Sequence, residues 1–165
     1  VRSFGALVDE VFADREFSEP LFHVPAVNAE RTFLEKMFLL QEEFHRPTDK
    51  MRVDRLSRHL YDLYHLSKNG IADKAINDKE LYETIVAHRY KYSKVGDVDY
   101  NLHNPKTLNP IPIESKMDEW KTDYAKMKED MIYEENKPSF EELINNLEEV
   151  KSKLQKVEWS FELKF

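Results

Sequence analysis

Apolar residues recur at intervals of three and four positions along most of the chain, the spacing that places them on one face of a helix. Five long helices are predicted on this basis, at residues 29–44, 52–67, 78–93, 114–132 and from residue 139 onward, with a shorter one at residues 3–12. Ser139 and Glu142 have the spacing of a capping box, and Asn69-Gly70 is a natural helix end. The pattern therefore predicts a mainly α fold, a multi-helix domain.

Three segments interrupt the helical pattern. Residues 20–27 are short, contain β-branched residues and are bounded by Pro20 and Pro25, which is typical of an edge strand or an extended strap. Residues 96–113 are rich in proline and asparagine and are predicted to form a long loop that binds a ligand or wraps the domain. The tail, residues 159–165, alternates between apolar and polar positions and is predicted either to pair as a strand or to be disordered.

The composition excludes several kinds of site. Only 3 glycines are present, which argues against a sheet-rich fold with many tight turns and against a glycine-rich phosphate loop. The absence of cysteine excludes disulfides, thiolate metal sites and cysteine nucleophiles, and suits a reducing, cytoplasmic setting. No apolar run approaches the roughly 20 residues that span a bilayer, so no membrane partner is predicted.

Charge is distributed unevenly along the chain. The net charge of −7 disfavours non-specific binding of nucleic acid by the surface as a whole. Residues 31–68 hold 8 lysines and arginines against 6 acidic residues, whereas residues 114–158 hold 8 against 13. A site for an anionic ligand is therefore predicted within residues 31–68.

Each of the two helices predicted in that region contains a polar residue next to apolar residues or opposite them. Lys36 lies within an apolar run, where a lysine either extends its ammonium to solvent or meets an anion such as a triphosphate, and spacing alone favours solvent. Arg58 and Asp62 lie one turn apart on the next helix, opposite its apolar face, where they either form an ion pair with each other or face a ligand. Spacing leaves both alternatives open.

Three short patterns resemble metal sites. Glu42 and His45 have the Glu-x-x-His spacing of di-iron bundles, but such sites need a second copy and two further glutamates, which the chain lacks. His59 and Asp62 have the spacing of a metal-ligand pair, but a lone pair of this kind on a charged helix face is more often a solvated surface. Gly96-Asp-Val-Asp99 resembles a magnesium-binding carboxylate pair, although its polar surroundings favour a loop turn.

Four strings together resemble the C-terminal part of the AbiEii/AbiGii toxin family of nucleotidyltransferases. They are Asn28-Ala-Glu-Arg-Thr-Phe-Leu-Glu-Lys36, Glu43-Phe-His-Arg-Pro47, Leu56-Ser-Arg-His-Leu-Tyr-Asp-Leu-Tyr-His-Leu66 and Asp123-Tyr-Ala-Lys-Met-Lys-Glu-Asp-Met-Ile-Tyr133. The resemblance covers nearly the whole chain. It implies a polymerase-β-like catalytic domain followed by a helical domain, with residues 1–27 a β-containing remnant of the former and residues 28–165 the latter.

The resemblance also implies roles for individual residues. Lys36 matches the family lysine and is implied to contact nucleotide phosphates, while Asp62 matches the late aspartate that completes the catalytic centre. Arg58 precedes Asp62 by one turn and is implied to bind substrate. His59 stands where many relatives have a second acidic residue.

Two family motifs, a Gly-Ser and an Asp-x-Asp pair, are absent upstream of Lys36. These motifs hold the Mg2+ of the intact enzyme, so its ligands are expected to lie outside this chain. The 165-residue chain is therefore expected to be inactive alone and to need no cofactor itself. The implied partners are a nucleoside triphosphate, an acceptor that is tRNA for some relatives, and a cognate antitoxin.

The alternative hypothesis is that the chain is not part of an enzyme but a non-catalytic helical protein-interaction module. In that case the acidic C-terminal helices would dock a partner, and Lys36 and Asp62 would have no role in chemistry.

Overall fold

A computed structural model describes residues 2–161 and 163–165 of the chain. The described residues form seven α-helices and one antiparallel sheet of two strands, which confirms the mainly α prediction. The strands are β1 (Arg2–Phe4) and β2 (Phe22–Val24), and the helices are α1 (Leu7–Val11), α2 (Ala29–Phe44), α3 (Ser57–Lys68), α4 (Ile71–Asn77), α5 (Lys79–Tyr92), α6 (Met117–Asp130) and α7 (Phe140–Gln155). Over the described ranges, none of the helices has the length and apolar character needed to span a membrane.

Helix α2 lies at the centre of the helical body. It packs against α3, α4 and α5, and α3 in turn packs against α4, α6 and α7. The apolar stripe of α2 is almost completely buried, and it comprises Phe33, Leu34, Met37, Phe38 and Leu40. Burial of this stripe removes several large side chains from water, each worth about 1.5–3 kcal/mol, so it contributes substantially to the stability of the body. The same packing brings the polar edge of α2 against α3.

The second long helix begins later than its apolar pattern predicts. Helix α3 starts at Ser57 rather than near residue 52, because Arg55 adopts a left-handed conformation with φ of 59°. Met51, Val53 and Leu56 are nevertheless buried, so the apolar spacing extends into a segment that is not helical. The prediction was therefore correct about burial and wrong about the backbone.

The helix predicted at residues 3–12 is wrong over half of its length. Residues 3–12 were predicted as one helix, but Ser3 pairs with His23 in the β1–β2 sheet and only Leu7–Val11 is helical. The strand predicted within residues 20–27 is confirmed as β2. Strand β2 supplies hydrogen-bonding partners for β1, and local helical spacing cannot report such a long-range pairing.

Residues 2–27 expose most of their apolar side chains. Strands β1 and β2 pair with each other, and Phe4 stacks on Phe22 with ring centroids 6.2 Å apart. The exposed apolar side chains of this segment, between 38% and 79% accessible, are Phe4, Leu7, Val8, Val11, Phe12, Phe17, Leu21, Phe22, Val24 and Val27. A continuous set of this kind usually marks an interaction surface. The domain boundary after residue 27 stays a prediction.

The long loop at residues 96–113 wraps the helical body. Gln41 of α2 is fully buried and holds the loop at two points, because its Nε2 donates to the carbonyl of Leu102 at 3.1 Å and its Oε1 accepts from the backbone N–H of Asn109 at 2.8 Å. Tyr100 and Leu108 of the loop are buried against the core. Of the two roles predicted for this loop, the structure therefore supports wrapping.

The described part of the tail contains no strand, and it packs against aromatic residues of the body. Trp159 contacts Tyr82 with ring centroids 5.0 Å apart, and Phe165 contacts Tyr90 at 4.6 Å. Neither alternative predicted for residues 159–165 therefore describes it. Its apolar positions serve packing between rings rather than strand pairing.

Candidate functional site

Lys36 of α2 and Asp62 of α3 lie against each other. The distance from Lys36 Nζ to Asp62 Oδ2 is 2.7 Å, and the two side chains are 22% and 41% exposed. The ammonium therefore meets an anion at the edge of the body instead of simply extending to solvent. The structure brings together the two residues that the resemblance singled out, although they belong to different helices.

His59 provides a second acceptor for the same ammonium. Its Nδ1 lies 3.4 Å from Lys36 Nζ. Since an ammonium has only donors, Lys36 donates and the imidazole nitrogen accepts, which requires a neutral ring. Burial lowers the pKa of His59 to about 4, with help from the charges of Lys36 and Arg58 and against the charge of Asp62. His59 and Asp62 thus both contact the ammonium of Lys36, in place of the solvated charged face that their spacing favoured.

This environment predicts a pH effect on stability. The pKa of His59 is about 4 in the folded chain against 6.5 for the free group, so the unfolded chain takes up the proton more readily. The contribution of neutral His59 is complete above about pH 6.5 and is lost as the pH falls toward 4. We expect His59→Gln to show a smaller drop in Tm between pH 7 and pH 5 than the unchanged chain, measured by circular dichroism.

The matched control is His88→Gln, which alters an exposed histidine on α5. This variant should keep the full pH dependence of the parent chain. An equal drop in Tm for the His59 variant and the parent would contradict the assignment of a half-buried, neutral His59.

Arg58 is an exposed cation beside the pair. Among the described residues, no carboxylate lies within ion-pairing distance of its guanidinium, so the predicted alternative of a pair with Asp62 does not form. Arg58 lines a cleft of about 630 Å³ between α3, the end of α6 and the segment that follows, together with Tyr61, Asp62, Met127, Met131, Ile132, Tyr133 and Glu134. A guanidinium in such a position is free to bind an anionic ligand.

Glu42 and His45 are committed to internal contacts. The Nε and one terminal nitrogen of Arg89 donate to Glu42 at 2.8 and 2.6 Å. Burial raises the pKa of Glu42, but the hydrogen bonds from Arg89 and His103 outweigh it and lower the pKa to about 2. His45 Nδ1 lies 2.8 Å from the carbonyl oxygen of Gln41. The Glu-x-x-His spacing therefore reflects an ion pair between α2 and α5 and a helix end.

The carboxylates of Gly96-Asp-Val-Asp99 form a turn, as the polar surroundings indicated. Asp99 accepts from the backbone N–H and the side-chain amide of Asn101 at 2.9 and 2.7 Å, and these bonds lower its pKa. Asp97 has φ of 65° and lies 3.7 Å from the ammonium of Lys50. Both carboxylates thus have local roles.

Mg2+ binds through several oxygen donors, and the candidate site offers few of them. Within residues 2–161 and 163–165, no group of three or more histidine or acidic side chains is placed to hold a metal ion. The carboxylate of Asp62 faces the ammonium of Lys36 at 2.7 Å. The donors present among the described residues therefore do not fit a magnesium site.

Two residues that sequence analysis missed hold α3 in place. Asp123 of α6 accepts from the backbone N–H groups of Arg55 and Ser57 at 2.7 and 2.9 Å, and so caps α3 from a neighbouring helix. Glu43, almost fully buried, accepts from the backbone N–H of Arg52 at 2.6 Å and from its guanidinium at 2.8 Å. Together they hold the connection that sets Asp62 opposite Lys36. The one available signal was that both lie in strings that resemble the family.

Asp123→Ala is expected to lower the free energy of unfolding by about 0.5–2 kcal/mol, the usual cost of losing a helix cap. The substitution leaves two backbone N–H groups at the start of α3 without their carboxylate partner. Urea denaturation measures the change, and Glu129→Ala, on the exposed side of the same helix, is the control. Equal midpoints for the two variants would contradict a capping role.

The family model described as nucleotidyl transferase AbiEii toxin, of a type IV toxin–antitoxin system, matches residues 2–146 of the 165. The matched range includes Lys36, Arg58 and Asp62. No curated protein and no solved structure matches the chain.

Proposed function

The chain belongs to the AbiEii nucleotidyl transferase toxin family, and we propose that it supplies the lysine and aspartate half of a nucleotide-transfer site. The observation that carries the proposal is the contact between Lys36 Nζ and Asp62 Oδ2 at 2.7 Å, beside a cleft lined by Arg58, which has no ion-pair partner among the described residues. The reaction transfers a nucleotide from a nucleoside triphosphate to a hydroxyl group of an acceptor and releases pyrophosphate.

The geometry of the ammonium supports a role in binding phosphate. A lysine has three N–H donors, and Asp62 and His59 take two of them. The third donor remains for a phosphate oxygen, while the two acceptors hold the ammonium at the edge of the cleft. A fixed positive charge of this kind stabilises the negative charge that develops during phosphoryl transfer.

Arg58 adds a second cation to the same edge. It lines the cleft together with Asp62 and is free of carboxylate partners among the described residues. Because a guanidinium binds phosphate oxygens through paired donors, Arg58 is suited to orient the triphosphate relative to Lys36. Asp62 then has two proposed roles. Its carboxylate holds the ammonium of Lys36 in position, and it is the aspartate that this chain contributes to the catalytic centre.

The other half of the site is proposed to lie on a polymerase-β-like domain. Its Gly-Ser and Asp-x-Asp motifs would bind Mg2+, and the exposed apolar surface of residues 2–27 is where that domain would pack. The type IV description implies an antitoxin partner. A tRNA acceptor is proposed on the basis of the family resemblance.

The test compares two proteins in one assay, the 165-residue chain and a longer protein in which a Gly-Ser and Asp-x-Asp domain precedes it. Transfer of a radiolabelled nucleotide to total RNA is measured in the presence of Mg2+. We expect transfer by the longer protein and none by the chain alone. Failure of the longer protein to transfer any nucleotide would favour the helical interaction module instead.

A further inference from the structure

The cleft beside Lys36 and Asp62 has an apolar side that phosphate binding does not use. Arg58 and Asp62 lie on one side, and Met127, Met131 and Ile132 lie on the other. Its volume of about 630 Å³ falls in the range of small-molecule sites, which is roughly 300–1,000 Å³. The cleft is therefore large enough for more than a phosphate group.

Two side chains of this cleft are unusually exposed. Tyr133 is 89% accessible and Met131 is 58% accessible, whereas the aromatic residues Trp120 and Tyr124 of the adjoining helix are buried. The hydroxyl of Tyr133 donates to the carbonyl of Asp130 at 3.2 Å, which anchors the ring at the rim of the cleft. An anchored, exposed ring beside a thioether offers a surface on which a planar group can stack.

Polar groups lie around the same space. Glu134 lines the cleft next to Tyr61, whose pKa is raised by burial and then by the nearby charge of Glu134. A carboxylate accepts hydrogen bonds from the ring N–H and amino groups of nucleobases, and the guanidinium of Arg58 binds phosphate oxygens. An aromatic ring, apolar side chains, an acceptor and a free cation together match a nucleotide better than a peptide or a lipid.

We propose that this cleft binds a nucleobase, with the base between Tyr133 and the methionines and its phosphates toward Arg58 and Lys36. The inference rests on the proposed function, because it places the base next to the phosphates that Lys36 contacts. The base belongs either to the nucleoside triphosphate or to the terminal nucleotide of the acceptor. Both sources present the same chemistry to the cleft.

Methyl NMR of the whole 165-residue chain, labelled at its methionines, tests the proposal. The methyl signals of Met127 and Met131 report on the cleft, and those of Met51 and Met117 lie outside its lining and serve as internal controls. The chain is titrated with a nucleoside triphosphate, with inorganic triphosphate and with a short single-stranded RNA. We expect the cleft signals to shift with the nucleoside triphosphate or the RNA, and to shift less with inorganic triphosphate.

The two nucleotide ligands distinguish the sources of the base. A shift with the nucleoside triphosphate alone assigns the cleft to the incoming nucleotide, and a shift with RNA alone assigns it to the acceptor. Cleft signals that stay unmoved by both ligands at about 10 mM, above the millimolar affinity that weak binding would give, would overturn the proposal.

Variants separate this inference from the proposed function. Tyr133→Ala should weaken nucleotide binding at least about five-fold, the effect of losing one stacked base, whereas Tyr133→Phe, which keeps the ring and loses only its anchoring hydroxyl, should weaken it less. Tyr92→Ala, which removes another exposed tyrosine, is the matched control and should bind normally. Normal binding by Tyr133→Ala combined with weak binding by Lys36→Ala would overturn the cleft and leave the phosphate site standing. The reverse pattern would support the cleft and contradict the role of Lys36.

Discussion

Replacing Lys36 or Asp62 with alanine is expected to slow nucleotide transfer by about 100- to 1,000-fold in the longer protein, which is the usual loss when one preorganised donor to the developing negative charge is removed. Lys36→Ala removes the donor proposed for the phosphates. Asp62→Ala leaves His59 as the remaining acceptor of the two that contact the Lys36 ammonium, so the charge is no longer held in position. The measurement is the rate of transfer at saturating nucleoside triphosphate.

The fold should survive both changes, because the pair lies at the edge of the body and exposed ion pairs contribute about 0–1 kcal/mol. Circular dichroism spectra that match the parent would confirm this. The control is the pair formed by Lys153 and Asp73, whose atoms lie 2.6 Å apart on α7 and α4, outside the lining of the cleft. Alanine variants of the control should transfer normally. A normal rate for Lys36→Ala or Asp62→Ala would refute the site.

Arg89→Met is expected to lower the free energy of unfolding by about 3–5 kcal/mol, the cost of leaving a buried charge without its partner. The guanidinium is 13% exposed and bonds to Glu42, which is 4% exposed, and to Glu35 at 2.7 Å. Methionine fills much of the same volume but provides no donor. Urea denaturation at pH 7 measures the loss.

The pH dependence gives this prediction a second test. The pKa of Glu42 is lowered from 4.5 to about 2, so its contribution to stability is complete above about pH 4.5 and is lost as the pH falls toward 2. The difference between the parent and Arg89→Met should therefore shrink over that range. Arg31→Met is the control, since Arg31 is 41% exposed and lies 3.5 Å from Glu35, and it should cost less than about 1 kcal/mol. A similarly small cost for Arg89→Met would contradict the buried network.

Sequence analysis predicted most accurately where local signals were strong. Helix α2 spans Ala29–Phe44 as predicted, because a sustained apolar period lies between Asn28 and Pro47. The capping box of α7 is also confirmed, with Ser139 Oγ accepting from the N–H of Glu142 at 3.1 Å and the carboxylate of Glu142 accepting in return at 2.7 Å. Both features depend on residues within one or two turns of each other.

Helix α4 was missed because its local signal is short. It covers Ile71–Asn77 and buries two alanines and Ile76, too few apolar positions to establish a period. Gly70, at φ of 73°, ends α3 as predicted, but the chain resumes as a helix immediately afterward. Packing of α4 against α2 and α3 stabilises a helix that its own sequence indicates weakly.

The residues of the candidate site likewise fall into those that the sequence indicated and those that depend on packing between distant segments. The family resemblance indicated Lys36 and Asp62, but the distance between them depends on how α2 packs on α3, which no local pattern reports. Asp123 and Glu43 were missed for the same reason, since each binds the backbone of a distant segment. The neutral state of His59 follows from its burial beside Lys36, and spacing alone could not reveal that burial.

A double-mutant cycle on Lys36 and Asp62 tests most directly whether the two residues form one functional unit. Rates of nucleotide transfer are measured for the longer protein, for both single alanine variants and for the double variant. Because the two residues act through one contact, the double variant should be about as slow as the slower single variant. Single-variant losses that multiply in the double variant, or rates equal to those of the parent, would contradict the account.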